Sequence, residues 1–338
     1  MGRAPAGAPA SPEAGPPAED AAACLARLPG LERVIETHLA RVFLFPDRVL
    51  KMKRPLQTAT QDLRLLPARH RACAAEVRLN RELAGPEVYR GLLPVVRTAS
   101  GLRLDGRGEV VEWLVHMRRL PSDRMLDRLI LEGRGPGPAE IEALGRRLAG
   151  FWRTTRGAPK GAYFRHLLHE AAIDGGHLAA LAGHVPGADI AGLSAALVHR
   201  LKGGRREIAR REALGFVREG HGDLRPEHVC LTLPPVLFDR VEFARDFRLA
   251  DAHDEVAFLG QECALLGRPD IAPRLVRHLE GAGFPPPSRG LLKTFRLHHC
   301  LTRARLALDH LLDPACSDPA KFRERARVRL ELAARLLG

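Results

Sequence analysis

A change of apolar period near Pro121 constrains the fold more than any other feature of the chain. Before it, apolar and polar residues alternate in VIETHLARVFLFPDRVLKMKR (34–54), LLPVVRTA (92–99) and EVVEWLVHM (109–117). That period of two predicts half-buried strands: a hairpin over 34–54 turning at Pro46-Asp47, then two strands joined near Asp105-Gly106. ARHRACAAEVRLNREL (68–83) repeats at helical spacing and predicts one helix inserted after the third strand, and Leu25–Leu31 a short helix ahead of them all. After Pro121 the period is helical. Ser122 is expected to cap DRMLDRLILEG and Pro138 to open PAEIEALGRRLAGFWR, with helices following over 163–182, 189–213, 252–267, 271–281, 288–312 and 319–337. The expected fold class is α+β with two lobes. A disordered Ala/Pro-rich tail (1–23) precedes a small antiparallel β lobe with one helix (24–116) and a larger helical lobe (117–338).

With 338 residues, 45% of them hydrophobic, the chain can bury a sizeable core, and 5% aromatics leave most of it to aliphatic side chains. No apolar run approaches the roughly 20 residues of a membrane span, and the N-terminus lacks the apolar segment of a secretory signal. The expectation is a cytoplasmic protein without a membrane partner. Six cysteines without CxxC spacing agree with reduced, mostly buried thiols. The net charge of +13 comes overwhelmingly from arginine, and no basic cluster is interleaved with stacking aromatics, which argues against a nucleic-acid partner. The Arg-rich KFRERARVRLELAARLL (321–337) reads as an amphipathic helix packed on the body.

One stretch interrupts the helices: HGDLRPEHVCLTLPPVLFDRVEF (221–243). Val229–Leu233 and Val236–Phe238 can pair around Pro234-Pro235, which returns Asp239 to the neighbourhood of His228, with Asp223 in the loop before it. Convergent acids repel unless a cation or a proton intervenes. A divalent metal carrying nucleotide phosphates satisfies that requirement, one acid holding the metal and the other orienting an attacking hydroxyl. The alternative is that both aspartates cap loops and accept backbone amides.

HGDLRPEH…VLFD resembles the catalytic loop and metal-binding aspartate of the aminoglycoside phosphotransferase family, within the protein-kinase-like fold. ETHLARVFLFPDRVLKMKRP, AAEVRLNREL, EWLVHMRRLP, VREGHGDL and DEVAFL resemble a branch of that family often fused to a P-loop nucleotide-binding domain, so the likeness covers roughly 32–312. The resemblance implies an ATP-dependent transfer of the γ-phosphoryl group to a hydroxyl of a small molecule. It implies Asp223 as catalytic base and Asp239 as ligand to Mg2+. Lys51 would contact the nucleotide phosphates, with Lys53, of the same strand parity, as runner-up. Glu76 would pair with that lysine, and Met117 would belong to the linker whose backbone meets adenine. Asp251 and Asp254 would brace the catalytic loop as structural residues. Glu242, Asp246 and Glu255 could line an acidic pocket.

The chain departs from the family pattern HxDxxxxN at His228, which stands where an asparagine would be the second metal ligand. Imidazole suits Mn2+ better than Mg2+, so His228 either ligates a manganese-like ion, only ties the loop, or marks a non-catalytic nucleotide-binding module of pseudokinase type. The turn Thr37-His38-Leu39-Ala40 holds no glycine-rich phosphate loop, and no GxxxxGK[ST] motif occurs. The expectation is therefore of a protein that acts alone or with a separate P-loop protein in trans. Three apparent motifs read as structural: Gly133-x-Gly135-x-Gly137 follows a helical segment, HLLHE (166–170) lacks a glutamate between its histidines, and His298-His299-Cys300 diverge on a helix.

Overall fold

The computed structural model describes residues 18–58, 60–313 and 316–338. The chain divides into two compact units, one ending at Leu120 and the other beginning at Pro121. Residues 1–17 of the expected tail lie outside the described residues. Residues 18–23 do not belong to a tail: helix α1 runs Ala18–Ala26, where Glu19 and Asp20 sit in the first turn and favour the positive end of the helix dipole. It replaces the helix expected over Leu25–Leu31.

The N-terminal unit is a six-stranded antiparallel sheet with spatial order β1-β2-β3-β6-β4-β5. Its strands are β1 (Arg33–Glu36), β2 (Ala40–Leu44), β3 (Arg48–Lys53), β4 (Tyr89–Thr98), β5 (Gly101–Leu104) and β6 (Glu109–Arg118). The expected hairpin over 34–54 is three strands. The first two meet at the expected turn Thr37-Ala40: Thr37 Oγ1 accepts from the Ala40 amide at 3.0 Å, and Arg54 Nη1 donates to the Thr37 and His38 carbonyls at 3.2 and 3.3 Å. Alternation sends Leu50 and Met52 of β3 to one face, where they pack with Phe43, Val95, Leu114 and Leu25 of α1. Lys51 and Lys53 take the opposite parity and share their face with α2 (Leu66–Ala84), the one helix inserted after β3. Buried Arg69 near the start of α2 bonds Glu112 of β6 at 2.8 Å.

The C-terminal unit is helical: α3 (Leu126–Leu131), α4 (Pro138–Thr154), α5 (Ala162–Ala180), α6 (Ile190–Ala213), α7 (Ala252–Leu265), α8 (Ile271–Gly281), α9 (Arg289–Asp309) and α10 (Pro319–Leu337). Two short antiparallel pairs are embedded in it, β7 (Val217–Glu219) with β10 (Leu249–Asp251) and β8 (Val229–Cys230) with β9 (Val236–Leu237). Ser122 does not cap a helix as expected. It opens a 3-10 turn, and α3 starts at Leu126 without a side-chain cap. Pro138 does open α4, where Glu140 accepts from the Gly137 amide at 2.8 Å. The principal core lies among α5, α6, α9 and α10, with Leu197, Leu201, Phe295, Leu308 and Leu330 buried. In α10, Ala326, Leu330, Ala333 and Leu336 face inward while Arg327 pairs with Glu324, which is the expected amphipathic packing. Among the described residues no helix is long and apolar enough to cross a membrane.

Candidate functional site

Alternation fixes the lysines of the N-terminal unit. Lys51 Nζ lies 2.9 Å from Glu76 Oε1, and Lys53 Nζ lies 2.6 Å from Glu76 Oε2. Glu76 is fully buried in α2, so one carboxylate is shared by two ammonium groups and its desolvation is offset by both. Lys53 is the deeper of the two, with 2% of its side chain exposed against 15% for Lys51. Lys51 therefore keeps the end of the pair that a ligand can reach. Met117, expected in a linker, is inside β6 and flanked by Val49 of β3 and Tyr89 of β4. Pairing on both sides carries the strand on to Arg118, and Arg119 N–H still donates to the Asp47 carbonyl.

In the C-terminal unit each residue of His221-Gly222-Asp223 has a separate reason to be there. Buried His221 donates from Nε2 to the Phe238 carbonyl (2.9 Å) and accepts the Asp223 amide on Nδ1 (3.3 Å), so it staples the loop to the end of the β8–β9 hairpin. Burial, reinforced by the neighbouring His228, pushes its pKa down to about 3, which keeps this bridging ring neutral. Gly222 has φ 87°, and a Cβ there would stand 2.7 Å from the Phe247 carbonyl oxygen, so only glycine fits. Asp223 then presents its carboxylate to Arg225, whose Nε is 2.9 Å away. Burial alone would raise the Asp223 pKa, but Arg225, His228 and Arg303 together hold it below the usual carboxylate value.

The hairpin closes as its sequence requires, with Val229 opposite Leu237 and Cys230 opposite Val236. This brings Asp223, His228 and Asp239 together. His228 Nδ1 donates to the Asp223 main-chain carbonyl at 2.8 Å, while Nε2 accepts from Arg225 Nη2 at 3.4 Å and lies 3.6 Å from Asp239 Oδ2. With Nδ1 donating, Nε2 is the acceptor of the pair, and its donor is the Arg225 guanidinium on the Asp239 side of the ring. Asp239 adopts φ 62°, a left-handed conformation uncommon outside glycine and found where surrounding structure enforces it. Both its neighbours are fixed. Phe238 N–H donates to the His228 carbonyl (3.1 Å), and buried Arg240 donates to the Gly220 and Glu219 carbonyls at 2.8 and 2.7 Å. An imidazole nitrogen and a carboxylate 3.6 Å apart are donor types that suit a divalent cation, the nitrogen Mn2+ more than Mg2+, and a cation there would displace the Arg225 N–H that the nitrogen accepts. Among the described residues no set of three or more His, Cys, Asp or Glu side chains is gathered around one such point.

The brace of this loop is a residue the sequence reading assigned elsewhere. Glu255, expected as a pocket acid, is buried in α7, where Oε1 accepts from the His221 amide (2.6 Å) and the Gly222 amide (2.7 Å). Its Oε2 accepts from Trp152 Nε1 at 3.2 Å. Burial raises its pKa to about 7, even though the two amides and Arg240 favour the carboxylate. Asp251 and Asp254, the expected braces, serve other elements. Asp251 caps α7 and pairs with Arg211, and Asp254 accepts from Tyr163 and from His299 Nε2 (2.7 Å). Glu242 is half-buried and Asp246 exposed.

No protein-family model matches the chain. Uncharacterized proteins of Mycobacterium bovis and Mycobacterium tuberculosis are 32% identical to it over 251 residues, 70% of this chain and 47% of theirs. The chain thus spans about half the length of the curated relatives it matches. Among solved structures, the GDP and kanamycin complex of APH(2")-IIia matches with a TM-score of 0.50 at 12% identity, covering 94% of this chain and 98% of that one. Choline kinase from Cryptosporidium parvum Iowa II matches with a TM-score of 0.50 at 10% identity, covering 94% of each chain. The chain has the α+β, protein-kinase-like fold shared by an aminoglycoside phosphotransferase and a choline kinase.

Proposed function

We propose that the protein is a phosphotransferase that moves the γ-phosphoryl group of ATP to a hydroxyl of a small molecule. The observation that carries this reading is the mutual arrangement of Asp223, His228 and Asp239, two carboxylates within 3.8 and 3.6 Å of one imidazole. In this role Asp223 orients the acceptor hydroxyl and takes its proton, while Asp239 and His228 hold the divalent ion. Bound there, Mg2+ or Mn2+ supplies neutralisation of the phosphate charge. Lys51, supported by Lys53 and Glu76, holds nucleotide phosphates in the N-terminal unit, and the strand end beyond Met117 meets the base. The acceptor hydroxyl, and a separate P-loop partner acting in trans, belong to the same proposal. So does a cytoplasmic location, supported by six cysteines that are all free. The ion pair of Arg225 with Asp223 supports a second reading, a nucleotide-binding module without transfer, because a clamped carboxylate is a weak base.

Thermal unfolding with ATP plus Mg2+, ATP plus Mn2+, and ATP plus EDTA tests the proposal. A ligand at about 100 times its Kd stabilises by roughly 2.7 kcal/mol. A metal-dependent rise in Tm, lost in Asp239→Ala, is the expected result. No rise in any condition overturns both readings, and a rise without phosphoryl transfer to any alcohol leaves the non-transferring module.

A further inference from the structure

Every exposed formal charge of α6 is positive. Lys202, Arg205, Arg206 and Arg210 are exposed, and no described carboxylate pairs with any of them. Lys202, Arg206 and Arg210 recur every fourth residue, about 6 Å apart along one face. The acids of α6 are engaged elsewhere. Glu207 accepts from the Ser288 amide and hydroxyl, both at 2.6 Å, and buried Glu212 accepts from the Gly161 and Tyr163 amides at 2.7 and 3.0 Å. On neighbouring α5, Glu170 and Asp174 are buried and Arg165 is exposed. Other helices neutralise their exposed arginines within a turn, as Glu142 does Arg146 in α4 and Glu324 does Arg327 in α10.

A recess of about 460 Å³ lies beside these cations, between α5 and α6. Its walls are Ala172, Gly175 and Gly176 of α5 and Ser194, Ala195 and Val198 of α6, and His199 and Lys202 complete the lining on the basic side. Two successive glycines weaken a helix interior and call for a reason. Gly175 has one in packing, since a Cβ there would stand 3.4 Å from the Ser194 side chain. Gly176 has none, because a Cβ there would meet nothing within 4 Å, and its missing side chain leaves the recess open. Ser194 Oγ is buried in the wall without a hydrogen-bond partner.

We propose that this recess is a docking groove for an acidic amphipathic helix of another protein. The partner's apolar side chains enter between α5 and α6, and its carboxylates meet Lys202, Arg205, Arg206 and Arg210. Docking there requires nothing of the phosphotransferase site. Shape and charge together select the class of partner. A bilayer surface is bound by large apolar side chains that protrude, and none is exposed on α5 or α6. A nucleic-acid backbone would meet the cations but leave the apolar walls unused. A helix carries apolar side chains at i, i+3, i+4 and i+7 with charges flanking them, which matches a recess bordered by cations. The charges then set encounter and orientation, and the filled recess sets the lifetime of the complex.

The test is fluorescence anisotropy of labelled peptides titrated with the full chain. The probe is a blocked peptide of about 18 residues built from Glu, Ala and Leu, with its leucines at helical spacing. A scrambled peptide of the same composition and a version with Lys in place of Glu are the controls. The acidic helix should bind saturably at micromolar concentrations, with both controls at least about 10-fold weaker. Reversing two cations in Lys202→Glu/Arg206→Glu should weaken it by about 10- to 100-fold. Gly176→Leu fills the recess and should weaken it at least about 10-fold, while the chain keeps or gains stability because leucine is the better helix former. Ala172→Leu, on the same wall, is the filling variant to use if Gly176→Leu lowers the Tm. No saturable binding of the acidic helix, equal binding of the scrambled peptide, or undiminished binding in both filling variants would each overturn the proposal. Phosphatidylcholine vesicles with about 30% phosphatidylserine and a DNA duplex of about 20 base pairs are titrated alongside. Should either bind and be lost in the charge-reversed variant while the peptide stays silent, the partner is a membrane or a nucleic acid and the proposal is wrong.

Discussion

Glu255 makes a prediction whose size follows from its surroundings. Its carboxylate is buried, its one oxygen holds the amides of His221 and Gly222, and burial lifts its pKa from 4.5 to about 7. Because the folded value lies above the unfolded one, the folded state binds the proton more tightly. The resulting stabilisation is complete below about pH 4.5 and is lost as pH rises through about 7. A gap of that size corresponds to about 3 kcal/mol at roughly 1.4 kcal/mol per pKa unit. Glu255→Gln keeps the shape and the acceptor oxygen but cannot titrate. The stability of Glu255→Gln relative to the native chain should therefore improve by about 3 kcal/mol between pH 5 and pH 8, and taking the difference cancels every other titrating group. Urea unfolding at several pH values measures it, followed by the fluorescence of Trp152 in a Trp113→Phe background so that the signal reports the C-terminal unit. A flat difference across that range would refute the raised pKa. Glu255→Ala should be worse at every pH. It orphans two buried amides at about 1–3 kcal/mol each, and a cost below about 0.5 kcal/mol would show that Glu255 does not brace the loop.

Two further perturbations separate neighbours that look alike in sequence. Lys53→Met removes the deeper partner of buried Glu76 and should cost about 3 kcal/mol, whereas Lys51→Met, with a side chain 15% exposed, should cost about 1 kcal/mol. The reverse order in urea unfolding would contradict the placement of the two ammonium groups. In His228→Asn the amide can still donate to the Asp223 carbonyl while offering an oxygen in place of Nε2, so the preference in ATP-dependent thermal shifts should move from Mn2+ toward Mg2+. An unchanged ratio of the two metal responses would show that His228 does not touch the ion.

What the sequence made legible was whatever depends on period and on short-range pairing. Lys51 and Lys53 could be assigned one face because a strand alternates, and the neighbourhood of Asp239 and His228 followed from a hairpin whose turn the two prolines mark. The first segment read as a hairpin although it carries a second turn at Thr37-Ala40, which Thr37 and a guanidinium from Arg54 close in place of glycine or proline. Helix α1 was absorbed into a compositional tail because alanine, which favours a helix, shares that segment with prolines that end at Pro17. Helix α7 was the hardest to read. A stretch with Asp254, Glu255 and Glu262 predicts a solvated face, yet every residue from Ala252 to Cys263 is buried. Its acids are tolerated because partners arrive from elsewhere: Tyr163 of α5, His299 of α9, Arg329 of α10 and the main chain of the His221 loop. No local pattern announces partners that distant, so the brace was sought at Asp251 and Asp254 when the loop needed an acceptor at Glu255.

His228 has two candidate roles for one physical reason, the position of its two ring nitrogens. In sequence, a ligand and a loop-former were alternatives. In the structure, one ring nitrogen ties the Asp223 carbonyl and the other accepts from Arg225 beside Asp239. Tying the loop is therefore the role the hydrogen bonds carry, and a metal proposed at Nε2 would have to take that lone pair from Arg225.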